Sequence, residues 1–172
     1  EVGDSIMALA GFFQAQGVGV LIETETAIQV AQLLGKAALG NAECADFVQI
    51  GTRADLVVVV GGDGTMLHAA RQLARYDRPL VGINQGRLGF MTDIARSDML
   101  DAMAQLMKGQ FTQEERLLLD TEVVFGGASA GWQPQANLAF NDVVIDKGAI
   151  GRMIEFELRV GDEFIYSARA DG

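Results

Sequence analysis

The sequence contains a single cysteine, Cys44, among 172 residues. One cysteine excludes an internal disulfide. The sequence also lacks a secretory signal and an apolar run long enough to span a bilayer, so we expect a reduced, cytoplasmic location. Cys44 is either a reactive thiol or an ordinary packed or surface cysteine, and the absence of a histidine near it in the sequence favours the second interpretation.

Basic residues are also scarce, because 13 Lys and Arg stand against 23 Asp and Glu and give a formal charge of −10. A surface this acidic disfavours non-specific binding to nucleic acid or to an anionic membrane. Small anionic ligands are still compatible with it, because local backbone N–H donors can outweigh the overall field. The sequence begins at Glu1 rather than at methionine and stops at a turn-like Asp171-Gly172, so we expect a fragment of a longer protein.

Strand and helix patterns alternate over the first 110 residues. The run Leu56–Val60 has five consecutive apolar residues, four of them valine, which predicts a strand covered on both faces. The alternation predicts an α/β domain with a Rossmann-like open parallel sheet and helices on both sides. The predicted helices lie at 5–15, 26–34, 66–76 and 97–108, and the predicted strands at 18–22, 56–60 and 80–83. Ser97 is the predicted cap of the last of these helices, and Gly109 is predicted to terminate it.

The pattern changes near residue 111, because no helical period follows Lys108. Strand-like runs are predicted at 117–125, 137–145, 154–160 and 164–167, with a hairpin turn at Gly161-Asp162. We therefore expect an α/β domain over residues 1–110 and the beginning of an all-β domain, truncated, over residues 111–172.

The segment Gly61-Gly62-Asp63-Gly64-Thr65 lies between the valine strand and a predicted helix. Glycines let backbone N–H groups approach a phosphate and adopt unusual φ and ψ angles, and the start of a helix adds further donors. Thr65 is the predicted cap of that helix. The segment is not a Walker A loop, since no Gly-Lys-Ser/Thr follows, and it lacks the third glycine of the dinucleotide fingerprint.

Asp63 is the candidate functional residue of this turn, because a carboxylate among phosphates is unfavourable unless it has a role. It can hold Mg²⁺, accept the proton of an attacking hydroxyl during phosphoryl transfer, or cap the following helix. A second loop, 84–90, follows the next strand and is expected at the same edge of the sheet. Its Phe90 is either a surface for stacking a base or a core aromatic residue.

Polar side chains in the β-rich part supply further candidates. The pair Asn141-Asp142 interrupts a strand-like run, and an amide beside a carboxylate suits the hydroxyls of a ribose or the amino groups of a base. Arg152, Arg169 and Asp171 are also candidates, although an isolated arginine is more often a solvated surface residue.

These segments together resemble the bacterial NAD kinases over nearly the whole chain. The glycine turn alone also resembles that of diacylglycerol and sphingosine kinases, whereas the combination is much more specific. The resemblance rests on 56–65 (LVVVVGGDGT), 82–90 (GINQGRLGF), Asn141-Asp142, 153–158 (MIEFEL) and 169–172 (RADG).

The resemblance implies transfer of a phosphoryl group from ATP or polyphosphate to the adenosine ribose 2′-hydroxyl of NAD, with a divalent cation such as Mg²⁺. It implies that Asp63, beside Gly64, accepts the hydroxyl proton. It further implies a homo-oligomer, dimeric or tetrameric, whose sites are completed by a neighbouring subunit. The other residues that the resemblance places on the dinucleotide are Phe90, Asn141, Asp142 (a Glu in most of the family), Arg152, Arg169 and Asp171.

Two other functions are compatible with the glycine turn. A lipid kinase of the diacylglycerol or sphingosine type would need an apolar or basic membrane-facing surface, and the charge of −10 argues against one. A non-catalytic dinucleotide-binding module that kept the turn is the second alternative.

Overall fold

Helices and parallel strands alternate through the first part of the chain. The structure is a computed structural model that describes residues 2–86, 89–124, 135–140, 142–148 and 151–171. Two compact units can be distinguished, Glu1–Arg116 and Leu117–Gly172. The first unit contains α1 (Val2–Ala15), β1 (Leu21–Glu23), α2 (Thr24–Leu34), β2 (Glu43–Ala45), α3 (Phe47–Arg53), β3 (Val57–Val60), α4 (Asp63–Leu73), β4 (Leu80–Asn84), β5 (Ile94–Ala95) and α5 (Met99–Met107).

All the strand pairs described in the first unit are parallel. Strand β1 pairs with β2, and β4 lies between β3 and β5 in a three-stranded sheet. Residues Val57 to Val60 of β3 are in register with residues Leu80 to Ile83 of β4. The predicted parallel α/β architecture is therefore confirmed. Parallel pairing also places the carboxyl ends of β3 and β4 at one edge of the sheet, where the two predicted loops begin.

The valines of β3 point alternately to the two faces of the sheet, and both faces are covered. Val58 and Val60 pack against a cluster that includes the fully buried Ile83 of β4 and Met103 of α5. Val57 and Val59 pack on the other side, where Met66 and Ala69 of α4 are buried. A strand with two buried faces needs apolar residues at every position, which explains the uninterrupted valine run.

Three elements of the first unit were not predicted from the sequence, the short strands β2 and β5 and the seven-residue helix α3. Helix α3 begins with a capping box, in which the Asp46 side chain accepts a bond from the Gln49 backbone N–H at 2.7 Å and the Gln49 side chain accepts one from the Asp46 N–H at 3.0 Å. The prediction that Ser97 caps α5 is wrong, because Ser97 lies in a 3₁₀ turn and Asp98 is the cap residue. Gly109 follows α5 with a φ of 74°, as expected for a terminating glycine.

The second unit has antiparallel strand pairs. Strand β6 (Leu119–Val123) pairs with β7 (Gln135–Ala139), and β8 (Ile154–Val160) pairs with β9 (Glu163–Ala170). Gly161 has a φ of 60°, which confirms the predicted hairpin turn. Residues 110–118 form neither helix nor strand, and the assignment of 1–110 and 111–172 as domains stays a prediction. No helix in the described ranges has the length and apolar character that a membrane span requires.

Candidate functional site

The glycine turn joins β3 to α4, and the helix begins within it. Gly62 is the N-cap residue, and its carbonyl accepts bonds from the Thr65 N–H at 3.0 Å and from the Met66 N–H at 3.1 Å. Thr65 therefore lies inside the first turn, and the prediction that it caps the helix is wrong. The Gly61 N–H donates to the Ile83 carbonyl at 2.9 Å and so ties the turn to the end of β4.

Small size, rather than an unusual backbone conformation, explains the glycines of this turn. None of Gly61, Gly62 and Gly64 has a positive φ, so the expectation of unusual angles is wrong here. A Cβ at Gly61 would lie 2.8 Å from the Thr65 Cβ, which no real side chain tolerates. At Gly62 and Gly64, a Cβ would meet no described atom within 4 Å, so the turn is open on that side.

The open side of the turn carries free backbone donors. The first N–H groups of a helix have no carbonyl one turn earlier to bind. In α4 these are the groups of Gly62, Asp63 and Gly64, which have no acceptor among the residues that the structure describes. The partial positive charge at a helix N-terminus also favours the binding of a negatively charged group. This end of α4 is therefore suited to bind an anion such as a phosphate.

Alanine substitutions at two glycines of the turn should affect stability in opposite ways. Gly61→Ala forces the turn away from Thr65 and is expected to lower the free energy of unfolding by about 1–3 kcal/mol. The Cβ added by Gly64→Ala meets no described atom within 4 Å and lies in a helix, so stability is expected to stay equal or to rise by up to about 1 kcal/mol. Denaturant unfolding of the two variants measures this difference, and equal midpoints would contradict the packing described for Gly61.

The carboxylate of Asp63 is bound by the second loop. Its Oδ2 accepts a bond from the Phe90 N–H at 2.8 Å. Its Oδ1 accepts bonds from the Met91 N–H at 3.1 Å and from the N–H and hydroxyl of Thr92, each at 3.2 Å. These bonds confirm that the two loops lie together at one edge of the sheet. The helix-cap interpretation of Asp63 is wrong, because none of these four donors belongs to α4.

The donors of the second loop keep Asp63 ionised. The backbone N–H of Phe90, followed by that of Met91, lowers the pKa of the Asp63 carboxyl below its ordinary value. A carboxyl group whose pKa is lower in the folded state than in the unfolded state stabilises the fold at every pH above its unfolded pKa. This contribution is lost as the pH falls through the pKa of the folded state. Asp63 is therefore a carboxylate throughout the neutral range.

Glycines also explain how the second loop comes so close to Asp63. A Cβ at Gly89 would lie 2.6 Å from the Asp63 Cγ, and a Cβ at Gly82 would lie 2.7 Å from the Thr92 Cγ2. Neither glycine has a positive φ, so the requirement is for space. These two glycines belong to the segment that carries the resemblance, and the reason for them is a contact between residues far apart in the sequence.

Asn84 and Thr92 are site residues that were not predicted from the sequence. Both are buried, with exposed fractions of 4% and 0%. The Asn84 Nδ2 donates to the Thr92 hydroxyl at 2.9 Å and to the Thr92 carbonyl at 3.3 Å. A signal was present in the sequence, since an asparagine directly after a buried apolar strand needs hydrogen-bond partners.

Phe90 is 95% exposed, so the interpretation as a core residue is wrong. Its side chain stands at the surface beside the turn, while its backbone N–H binds Asp63. Stacking of a base on this ring stays a prediction.

Four of the candidate site residues predicted in the second unit are Asn141, Asp142, Arg152 and Arg169. Asn141 lies outside the described residues. Asp142 and Arg152 are exposed and belong to no helix or strand, and Arg169 lies on β9 opposite Glu155 of β8. The structure does not test the roles predicted for these four residues, which stay predictions.

Asp171 is paired with Lys147, a residue that was not among the sequence candidates. The Lys147 Nζ lies 2.8 Å from the Asp171 Oδ1, and the Lys147 N–H donates to the Asp171 carbonyl at 3.0 Å. The pair is partly exposed, so its contribution to stability is small. In the described ranges, no group of three or more His, Cys, Asp or Glu side chains is arranged to hold a metal ion.

Comparisons with known proteins agree with these observations. A family model described as the ATP-NAD kinase N-terminal domain matches residues 17–111. Proteins called NAD kinase from Aromatoleum aromaticum and from Azoarcus sp. are 45% and 46% identical to this chain, over 100% of its length. The alignments cover 54% and 55% of those relatives, so the chain spans about half the length of the curated relatives it matches.

A solved structure of yeast NADH kinase complexed with NADH has the same fold. It superposes with a TM-score of 0.79 over 99% of this chain and 52% of that one, at 19% sequence identity. Identity this low supports the fold alone. The family model covers more than half of the residues, and the chain belongs to the NAD kinase family.

Proposed function

We propose that the protein to which this chain belongs is an NAD kinase, which transfers a phosphoryl group from ATP to the adenosine ribose 2′-hydroxyl of NAD and gives NADP. The observation that supports this most directly is the position of Asp63. It is an ionised carboxylate at the N-terminus of α4, held by a second loop and adjacent to free backbone N–H groups. Phosphoryl transfer to a hydroxyl needs a group of this kind, a carboxylate that can accept the hydroxyl proton beside a phosphate site.

The donor phosphates bind at the open side of the glycine turn in this proposal. Gly62 and Gly64 leave room for close approach, and the N–H groups of the first helical turn, which no described residue accepts, begin at these glycines. A phosphoryl group held there is stabilised by hydrogen bonds and by the helix dipole without any lysine in the turn.

Asp63 accepts the proton of the ribose hydroxyl. A carboxylate offers about four lone-pair positions, and three donors bind Oδ1 while one binds Oδ2. One position on Oδ2 is left for the hydroxyl. The lowered pKa makes Asp63 a weak base, but it also ensures that the unprotonated form is present at neutral pH.

The other parts of the proposal concern the cation, the dinucleotide and the assembly. A divalent cation such as Mg²⁺ would supply neutralisation of the charge on the donor phosphates when bound. Polyphosphate is a second possible donor. We further propose a cytoplasmic homo-oligomer, dimeric or tetrameric, in which NAD contacts Gly64, Phe90, Asn141, Asp142, Arg152, Arg169 and Asp171.

An assay of the full-length protein with Mg-ATP tests the proposal. NAD and sphingosine are offered in parallel, with polyphosphate as an alternative donor, and NADP formation is followed by a coupled dehydrogenase reaction. We expect NADP from NAD and no phosphorylated lipid. Phosphorylation of sphingosine without NADP would identify a lipid kinase. Equal affinity for NAD and NADP without ATP consumption would identify a non-catalytic binding module.

A further inference from the structure

Two buried polar side chains lie behind the Asp63 carboxylate. Asn84, at the end of β4, is 4% exposed, and Thr92, two residues before β5, is fully buried. Burying polar groups costs free energy unless they are hydrogen-bonded. Their bonds lead to the candidate site, because the Asn84 amide binds the Thr92 hydroxyl at 2.9 Å and that hydroxyl binds the Asp63 Oδ1 at 3.2 Å.

The direction of this hydrogen-bond chain follows from the chemistry of its groups. The Gly86 N–H donates to the Asn84 Oδ1 at 2.7 Å, which fixes the orientation of the amide and leaves its NH₂ group facing Thr92. The Thr92 Oγ1 accepts from this NH₂ group, so its own hydrogen is free to be donated. An ionised carboxylate only accepts, and therefore the hydroxyl hydrogen points to Asp63.

Asn84 and Thr92 also hold the two ends of the second loop together through hydrogen bonds that do not involve Asp63. The Thr92 carbonyl accepts bonds from the Asn84 Nδ2 and from the Gly89 N–H, each at 3.3 Å. Asn84 is the last residue of β4 and Thr92 lies two residues before β5, so their hydrogen bond connects the loop that faces Asp63 to the paired strands β4 and β5. Rigid support of this kind is what holds a reacting group in a fixed geometry.

The result is that the two carboxylate oxygens of Asp63 are not equivalent. Three donors saturate Oδ1, and the Thr92 hydroxyl is the only side chain among them. We propose that Asn84 and Thr92 are positioning residues that fix the rotation of the Asp63 carboxyl group, so that Oδ2 is the oxygen presented to the substrate. The part of this inference that concerns a substrate rests on the proposed NAD kinase activity.

Removing the Thr92 hydroxyl in the full-length protein tests the inference. Thr92→Val has nearly the same shape but cannot donate, whereas Thr92→Ser keeps the hydroxyl. We expect Thr92→Val to lower kcat about 10- to 100-fold with little change in the KM for NAD, since the carboxyl group loses the one side-chain donor among the four groups that hold it and is placed less precisely in the transition state. Thr92→Ser is expected to restore most of this loss. Equal kcat values for the two variants would overturn the inference.

A spectroscopic measurement separates this inference from the proposed function. The ¹³C signal of the Asp63 carboxyl, followed against pH in aspartate-labelled full-length protein, is expected to titrate at higher pH in Thr92→Val than in Thr92→Ser, because one donor to the charged form is missing. This shift in a protein that makes no NADP would contradict the proposed function alone. Identical titrations in an active enzyme would contradict the positioning role alone. If Thr92→Val does not fold, Thr92→Ala against Thr92→Ser gives the same comparison.

Discussion

Replacing Asp63 by asparagine in the full-length protein is expected to lower turnover about 10²- to 10⁴-fold, the range that general-base catalysis typically contributes. The amide of asparagine cannot accept the proton of the ribose hydroxyl as the new P–O bond forms. NAD is expected to bind still, because most of the proposed dinucleotide contacts lie outside the second loop. Steady-state kinetics and isothermal titration with NAD measure the two effects separately.

The hydrogen bonds of Asp63 imply that this substitution also disturbs the second loop. Asp63 accepts four hydrogen bonds, from Phe90, Met91 and Thr92. Asparagine has one acceptor oxygen, and its NH₂ group would face an N–H of the loop, donor against donor. Part of the loss in turnover therefore comes from the loop rather than from the missing base. A binding measurement in the same variant detects that part, because a displaced loop would weaken NAD binding as well.

Asp55→Asn is the matched control for this experiment. Asp55 is exposed and precedes β3, at the opposite end of that strand from the turn, so its replacement makes the same change in charge away from the site. We expect near-normal turnover in this control. Near-normal turnover in Asp63→Asn itself would show that Asp63 is not the base.

Much of the fold of the first unit could be predicted because its core is periodic. The valine run of β3 required cover on both faces, and the structure places α4 on one side and α5 on the other. Alternation of strands and helices then required parallel pairing. Helix α3 was missed because seven residues are too few to show a helical period, although its Asp46 to Gln49 capping box was present in the sequence.

The contacts of the candidate site could be predicted only in part. The sequence placed the two loops at one edge of the sheet, but Asp63 is 27–29 positions from the donors that bind it. A bond between two loops depends on how their strands pair, and no local pattern contains that information. The same reason applies to the pair Lys147 and Asp171, which lie 24 positions apart.

Local rules were also misleading at the turn itself. Thr65 and Asp63 both have side chains that commonly cap helices, and each is at a plausible position. In the structure the cap is Gly62, Thr65 packs against Gly61, and Asp63 is turned towards the second loop. Such a departure from the local preference is expected where a side chain serves a site rather than the fold.

Gly89→Ala in the full-length protein is expected to reduce turnover about 10²-fold, the cost of moving a catalytic group by roughly 1 Å. The added Cβ would lie 2.6 Å from the Asp63 Cγ, so either the carboxylate or the loop must move. Gly89 does not have a positive φ, and alanine is therefore compatible with its backbone. The effect is steric and acts on the position of Asp63, while the carboxylate itself is kept.

Gly86→Ala is the control within the same loop. A Cβ at Gly86 meets no described atom within 4 Å, and its N–H can still donate to the Asn84 Oδ1. Turnover and an unfolding midpoint close to those of the unmodified protein are expected for this variant. If Gly89→Ala turned over NAD as fast as Gly86→Ala does, the contact between the second loop and Asp63 would not be needed for the reaction. A large loss confined to Gly89→Ala would instead show that the carboxylate functions only in the position that this loop gives it.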